Sequence, residues 1–335
     1  MKKLNLEKIE TLVTSFIDKY NIQKILLTIS GGQDSIYLIK ILEKLKKKSY
    51  YKHLQTSYIY VDHQWKSNSK KQIKHIINYI TIINANIIIY QINKITLSED
   101  ECRKYRYNII LQHAIKYKFK LIITGHNSTD KVETCLQNLI KGSGIESLNN
   151  LAMKSKVFQK IFILRPLLKL NRTTIYWSCK KLYLPIWSDS TNYFYKIQRN
   201  RIRQEFVPYI KQYLHKNIES NIKFLINNYH YQNEYIKQNV IKLYLKSKHK
   251  KRTAINYTKI NKQNFVLQIK TIQLFCFHNL QIYLETQKII KVIKQLNKKL
   301  INSSKIVSHS NFNFFIHKNW LCVSIKTSKT ILKFI

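Results

Sequence analysis

An aliphatic run, Ile25-Leu26-Leu27-Thr28-Ile29, leads straight into Ser30-Gly31-Gly32-Gln33-Asp34-Ser35, and a helical apolar pattern starts at once behind it. A buried strand that turns into a helix through a two-glycine loop is compatible with few architectures. The glycines permit positive φ and a close approach of backbone to a ligand. Successive N–H groups in such a loop, backed by a helix N-terminus, form a nest for anions. Ser30, Gly31, Gly32, Gln33 and Ser35 are therefore candidate phosphate contacts, the serines through their hydroxyls. Asp34 is the odd member, because a carboxylate repels phosphate unless a cation stands between them, so it marks a candidate Mg²⁺ position. A plain strand–helix turn with Asp34 as N-cap would explain the glycine pair alone. The full hexapeptide in this setting favours the phosphate reading. The Gly-Lys-Ser/Thr ending of a Walker loop is missing.

The rest of the first half repeats the alternation. Tyr58–Val61, Asn86–Gln91, Lys120–Thr124 and Ile161–Leu164 read as further strands, with helices expected at about 35–48, 67–83, 98–118 and 130–141. Strand–helix alternation predicts an α/β fold with a doubly wound, mostly parallel sheet, which binds ligands at the carboxyl ends of its strands. Beyond residue 190 the pattern changes. Residues 199–246 look helical, with Phe206, Ile210, Leu214, Ile218, Ile222 and Leu225 three or four apart. Residues 284–300 look helical as well, and 306–326 has β character with a turn at His317-Lys318-Asn319. The expected organisation is a catalytic region at 1–190, a smaller mainly helical region at 191–300 and a short β tail at 301–335.

Lys and Arg total 59 against 17 Asp and Glu, a formal charge of +42 among 335 residues. AT-rich codon usage raises Lys without selection, but it does not explain the scarcity of acids. A polyanion, nucleic acid above all, is the partner that suits such a field. Arg199, Arg201 and Arg203, together with Lys250, Lys251 and Arg252 inside the basic run 246–252, are candidate RNA-backbone contacts; a solvated surface is the alternative for the run. The five cysteines contain no C-x-x-C pair, which points to a reducing compartment and away from a disulfide framework. No apolar run approaches the ~18 residues of a membrane span, so no membrane partner is expected. The oligomeric state is left open.

Three more segments carry polar chemistry. Val61-Asp62-His63 closes the second strand, where Asp62 and His63 could reach a nucleotide ribose or base. Arg103 and Arg106 share one helix face with Glu99 and could meet a phosphate or carboxylate. Gly125-His126, a candidate nucleotide contact with His126 placed to touch phosphate, opens a turn into a helix bearing Asp130 and Glu133, three apart, which could hold Mg²⁺ or an ammonium group. Helix capping by Asp130 and dipole stabilisation by Glu133 are the alternatives.

Taken together, Ser30–Ser35, Val61-Asp62-His63, Glu99 with Arg103, Arg106 and Tyr107, and Gly125-His126 with Asp130, Glu133 and Thr134 resemble the tRNA(Ile)-lysidine synthetase family. So do Lys141-Gly142-Ser143-Gly144, Arg165-Pro166-Leu167-Leu168, Asp189-Ser190-Thr191-Asn192 and Arg199-Asn200-Arg201-Ile202-Arg203. The likeness covers roughly residues 20–210. It departs at Thr129, where the family usually has Asp, and at Cys102, usually Ala. The resemblance implies a PP-loop fold of the adenine nucleotide alpha hydrolase type. It implies an ATP- and Mg²⁺-dependent ligase that adenylates C2 of the wobble cytidine in a CAU-anticodon tRNA(Ile). Free L-lysine then displaces AMP to give lysidine. Asp34, Arg103, Arg106, Asp130 and Glu133 would be the catalytic set. A bacterial-type enzyme in an AT-rich chain without a targeting segment suggests a plastid-encoded protein of the stroma, with an AT-rich bacterial cytoplasm as the alternative. Another PP-loop tRNA-modifying enzyme, such as a thiolase, would need paired cysteines. A non-catalytic RNA-binding protein with a decayed nucleotide fold would show no tRNA-dependent ATP chemistry.

Overall fold

Ile25, Leu26 and Leu27 are fully buried on a strand whose alternate side chains enter two different cores. Ile25 and Leu27 join one cluster and Leu26 another. A strand covered on both faces is the mark of a doubly wound sheet. The computed structural model describes residues 3–62, 64, 69–92, 99–148, 151–158, 161–187, 197–297, 305–309 and 312–325. Contacts divide these into two units, Met1–Tyr229 and His230–Ile335.

The first unit runs α1 (Lys3–Tyr20), β1 (Lys24–Thr28), α2 (Gln33–Lys46), β2 (Gln55–Asp62), α3 (Ser69–Ile82), β3 (Ile87–Gln91), α4 (Glu99–Lys116) and β4 (Leu121–Ile123). It continues with α5 (Ser128–Ile140), α6 (Ile145–Leu148), β5 (Lys154–Val157), β6 (Ile161–Leu164) and α7 (Arg172–Lys181). The six strands are ordered β3-β2-β1-β4-β6-β5. All pairs are parallel except the edge strand β5, which runs antiparallel to β6. The expected strands and helices thus lie within about three residues of their predicted places. In this unit the sequence reading did not find α1, α6, β5 or α7.

The helical stretch after residue 197 is irregular: α8 (Gln198–Arg201), a π segment over Ile202–Phe206, α9 (Val207–Tyr209) and a second π segment over Ile210–Leu214. Pro208 lacks an N–H and cannot continue a regular ladder. Each π turn adds a residue and rotates the buried face. This corrects the expected apolar stripe. Phe206, Leu214 and Leu225 are exposed, while Ile222 and, in part, Ile218 of that stripe join Ile202, Val207 and Ile226 on Val132, Cys135 and Leu136 of α5. His215, in extended conformation, ends the second π segment, and α10 (Ile218–Ser247) follows. The unit boundary at Tyr229 falls inside α10.

The second unit adds β7 (Ala254–Asn256), α11 (Tyr257–Asn261), α12 (Phe265–Leu280), α13 (Thr286–Asn297), β8 (Lys305–His309), β9 (Phe312–His317) and β10 (Trp320–Ile325). The strands form an antiparallel sheet ordered β7-β10-β9-β8. Ile272 and Phe275 of α12 and Val292 of α13 share one core with Phe314 and Leu321 of that sheet. The expected β tail is therefore part of a helix-backed sheet, with Lys318 at positive φ in its turn. No helix among the described residues is long and apolar enough to cross a membrane.

Candidate nucleotide and amine site

β1 pairs with β2 on one side and β4 on the other, so the chain leaves the sheet in opposite directions from two adjacent strands. The crevice at such a switch point is where open α/β sheets receive ligands. The loop after β1 and the turn after β4 form its walls. They approach closely: a Cβ on Gly125 would lie 3.4 Å from the Cβ of Asp34 and 3.5 Å from the Ser35 nitrogen. Gly31 has φ +76°, and a Cβ there would sit 3.0 Å from Ile76. Here the glycine is required by conformation and by space alike.

The loop is braced from outside. The Gln33 amide donates to the Arg172 carbonyl at 2.8 Å, Gln72 donates to the Ser30 carbonyl, and Trp187 N–H donates to the Gly31 carbonyl at 3.2 Å. Inside it, Ser35 Oγ donates to the Gly32 carbonyl at 2.9 Å and accepts from Ser30 N–H at 3.3 Å. Gln33 and Ser35 therefore use their side chains on the protein itself. α2 begins at Gly32 with no side-chain cap, which leaves its leading N–H groups to an anion.

Asp34 stands in this uncapped first turn. Its Oδ1 is buried and has no hydrogen-bond partner, and neither has the buried Nδ2 of Asn127. Burial pushes the Asp34 carboxyl up to about 7; neighbouring Asp130 adds to this, while Arg172, Asn127 and Arg203 oppose it. An orphaned carboxylate oxygen next to a second carboxylate is a fitting place for Mg²⁺. That ion takes one or two protein carboxylates and completes its shell with water and phosphate oxygens. Among the described residues no three His, Cys, Asp or Glu gather as a metal group, as such a sparse set implies.

The opposite wall is basic. His126 shares a hydrogen bond with Thr124 Oγ1 through Nδ1 at 2.9 Å. Its imidazole is held well below the ordinary range by burial, then by Arg165, Arg103, Arg199 and Arg106, so it is neutral at pH 7. Burial likewise lowers Arg106, helped by the like charges of Arg103 and Arg199. Arg103 lies over the Tyr107 ring at 5.9 Å. Arg165, buried at the end of β6, donates from Nη1 to the Ala152 carbonyl and to Ser155 Oγ, while its Nε has no partner. Cations that suppress a neighbour's protonation attract a phosphate or carboxylate from solution.

Asp130 and Glu133 occupy the first two turns of α5. Asp130 completes a capping box with Asn127: Asn127 Oδ1 accepts from Asp130 N–H, and Asp130 Oδ2 accepts from Asn127 N–H. Capping thus operates, but it does not exhaust the pair. Arg199 donates to Glu133 Oε2 at 2.9 Å and to Asp130 Oδ1 at 2.9 Å. Arg203 donates to Glu133 Oε1 at 2.6 Å, to Glu133 Oε2 at 2.8 Å and to Asp130 Oδ1 at 3.3 Å. Arg199 and Arg203, read from sequence as RNA contacts, are here bound to the two carboxylates read as amine or metal ligands. Arg201 points elsewhere and pairs with Glu205 on the surface at 2.9 Å. Asp62, buried at the end of β2, accepts from Gln64 N–H at 3.0 Å; His63 lies outside the described residues, as do Asp189–Asn192. Lys250, Lys251 and Arg252 are exposed in the second unit.

Sequence reasoning gave no role to Arg165, Arg172 or Asn127. Arg165 had a usable signal, since it directly follows a strand at the sheet's carboxyl edge. Arg172 had none. Thr129, the departure from the resembled pattern, accepts from Arg172 N–H at 3.2 Å and so caps the first donor of α7.

The family described as the PP-loop domain matches residues 5–210. The chain is 44% identical over 314 residues to the chloroplastic tRNA(Ile)-lysidine synthase of Gracilaria tenuistipitata var. liui, covering 92% of this chain and 96% of that protein. It is 32% identical to the chloroplastic tRNA(Ile)-lysidine synthase of Pyropia yezoensis, over 95% of each. Among solved structures it resembles the U34-tRNA thiolase NcsA from Methanococcus maripaludis. The TM-score is 0.56 at 18% identity, over 69% of this chain and 79% of that one, a likeness of fold.

Proposed function

The chain belongs to the tRNA(Ile)-lysidine synthase family, and from that premise we propose that it ligates L-lysine to C2 of the wobble cytidine in a CAU-anticodon tRNA(Ile), splitting ATP to AMP and pyrophosphate. The observation that supports it most is the unpartnered Asp34 Oδ1 in an uncapped helix turn, pressed against the Gly125-His126 turn with cations behind it.

In this reading the C2 oxygen of the extruded base attacks the α-phosphorus of ATP, and the bond to the bridging oxygen breaks to release pyrophosphate. The leading N–H groups of α2 receive the charge that develops on the leaving group. Asp34, with Asp130 beside it, would hold Mg²⁺, which when bound neutralises charge on the departing phosphates. Neutral His126 donates a hydrogen bond without competing for Mg²⁺ as a charge. The ε-amine of lysine then attacks C2, and the C2–O bond breaks to release AMP. Asp130 and Glu133 hold the amine, and Arg103 and Arg106 hold the lysine carboxylate or the adenylate phosphate. An anticodon base leaves its stack at modest cost. Lys250, Lys251 and Arg252 add backbone contacts. The relatives' chloroplastic assignment supports a plastid location, and we place the reaction in the stroma.

The test is incubation with ATP, Mg²⁺, labelled lysine and a tRNA(Ile) transcript with a CAU anticodon. Label should enter the RNA, and none should enter a transcript whose wobble base is not cytidine. Absence of label together with absence of tRNA-dependent ATP–pyrophosphate exchange would overturn the proposal.

A further inference from the structure

The groups assigned to two different substrates are bonded to each other. Asp130 and Glu133 suit the amine of an amino acid, and Arg199 and Arg203 suit RNA phosphates, yet among the described residues the four are bonded to one another, two cations against two anions. Glu133 is fully enclosed, with 0% of its side chain exposed, while Arg199 and Arg203 keep 16% and 15%. Asp130 keeps 12%, so solvent and a partner reach the cluster through the arginines and Asp130 but not through Glu133.

We propose that Arg199 and Arg203 form an exchangeable cover over the amine site, and that RNA backbone phosphates draw them off so that the substrate's ammonium can take their place. The inference rests on the reading of Asp130 and Glu133 given above.

The argument is one of paired exchange. A guanidinium grips phosphate oxygens with the same bidentate geometry it uses on a carboxylate. RNA alone would strip the arginines away and leave both carboxylates, the enclosed Glu133 above all, without a cation, which is strongly unfavourable. An amine alone would have to displace two guanidinium groups from their carboxylates beside a basic wall. Arriving together, the ligands exchange partners: arginine–carboxylate pairs become arginine–phosphate and ammonium–carboxylate pairs, and no enclosed charge is abandoned. Binding of one ligand must therefore strengthen binding of the other by an equal factor. The local structure suits a moving part. Both arginines sit at the start of the irregular stretch of short α and π segments, which lacks the uniform hydrogen-bond ladder of a stable helix. Among the described residues Arg201, between them, pairs with exposed Glu205 of the same stretch.

A chemical purpose follows. An amine site that opens only when RNA is docked keeps free lysine away from activated phosphate until the proper acceptor is present.

The experiment measures lysine binding to the full chain by equilibrium dialysis without ATP, so that no reaction occurs, with and without the CAU-anticodon tRNA(Ile) transcript. Lysine should bind at least tenfold tighter with RNA present, a coupling of about 1.4 kcal/mol. The tRNA dissociation constant should tighten by the same factor when lysine saturates. Arg203→Lys keeps the charge but loses the fork, so lysine should bind it more tightly than wild type without RNA, with a reduced coupling factor. Arg199→Gln should show the same trend if it folds, and the wild-type measurement stands without it. Equal lysine affinity with and without RNA would overturn the proposal. If label from lysine enters RNA in the catalytic assay and the affinities are nevertheless uncoupled, the exchange fails while the ligase reading survives. If no label enters, the ligase reading itself has failed.

Discussion

Asp34 shows how one residue can be costly to the fold and still be required. Its carboxyl is pushed up to about 7 by burial and by Asp130, against an ordinary value near 4. For an acid raised in the folded state, the ionised form is the one the fold disfavours. Nothing is lost below pH ~4, the loss grows as pH rises toward 7, and it stays constant above. That interval corresponds to at most roughly 4 kcal/mol. Asp34→Asn in EDTA should therefore be more stable than wild type at pH 8 by up to that amount, with the gain shrinking toward pH 5. Urea denaturation at the two pH values measures it, and a gain independent of pH would contradict the account. The same variant should lose about 10²-fold or more of tRNA-dependent ATP–pyrophosphate exchange, because a developing charge loses its counter-ion site. Asp34 was legible in sequence because a carboxylate in a phosphate loop is out of character. Arg165 and Arg172 were not, because nothing local to them says that β6 and α7 end beside the β1 loop.

Elements were legible where they are buried on both faces or strongly periodic. β1 and β4 declare themselves as aliphatic runs, β2 as alternating tyrosines and β-branched residues, and α5 by its apolar spacing. β5 did not, because a lysine-bearing edge strand, Lys154-Ser155-Lys156-Val157, carries the polar composition that keeps edges from pairing. α1 was obscured by charge around its buried Ile9, Val13, Phe16 and Ile17. The helical stretch after residue 197 misled by its period, since π turns move the buried face off the 3.6-residue rule. α7 depends on a neighbour as much as on its own sequence. Its N-cap is Asn171, and its first N–H is taken by Thr129 of α5. Thr129→Ala should cost ~1 kcal/mol by loss of that acceptor, while Thr129→Asp should keep it and add favourable charge at the helix start. Thermal unfolding of the two variants separates the outcomes; equal losses would mean the hydroxyl does nothing for α7.

At the scale of the whole molecule, charge dominates. A protein of +42 that meets RNA through 6–10 phosphates should lose ~10³-fold or more in affinity between 50 and 200 mM salt. Filter binding of the tRNA transcript across that range measures the slope, and a flat profile would remove the electrostatic argument. The field was legible from composition, as was the doubly wound sheet from its alternation. The pairing of Arg199 and Arg203 with Asp130 and Glu133 was not, because it joins residues about seventy positions apart through a fold that sequence spacing does not encode. The central place of β1 carries a consequence for synthesis. Thr28 Oγ1 donates to the Ile123 carbonyl across 95 positions, and Gln33 is held by a carbonyl 139 positions downstream. A ribosome that has released its first hundred residues has therefore made the phosphate loop and its Gln72 brace but neither its opposite wall nor the braces at Arg172 and Trp187. A nascent chain should hold nucleotide only after α7 has emerged, so ATP retention would report the completion of the first unit long after its signature motif has been translated.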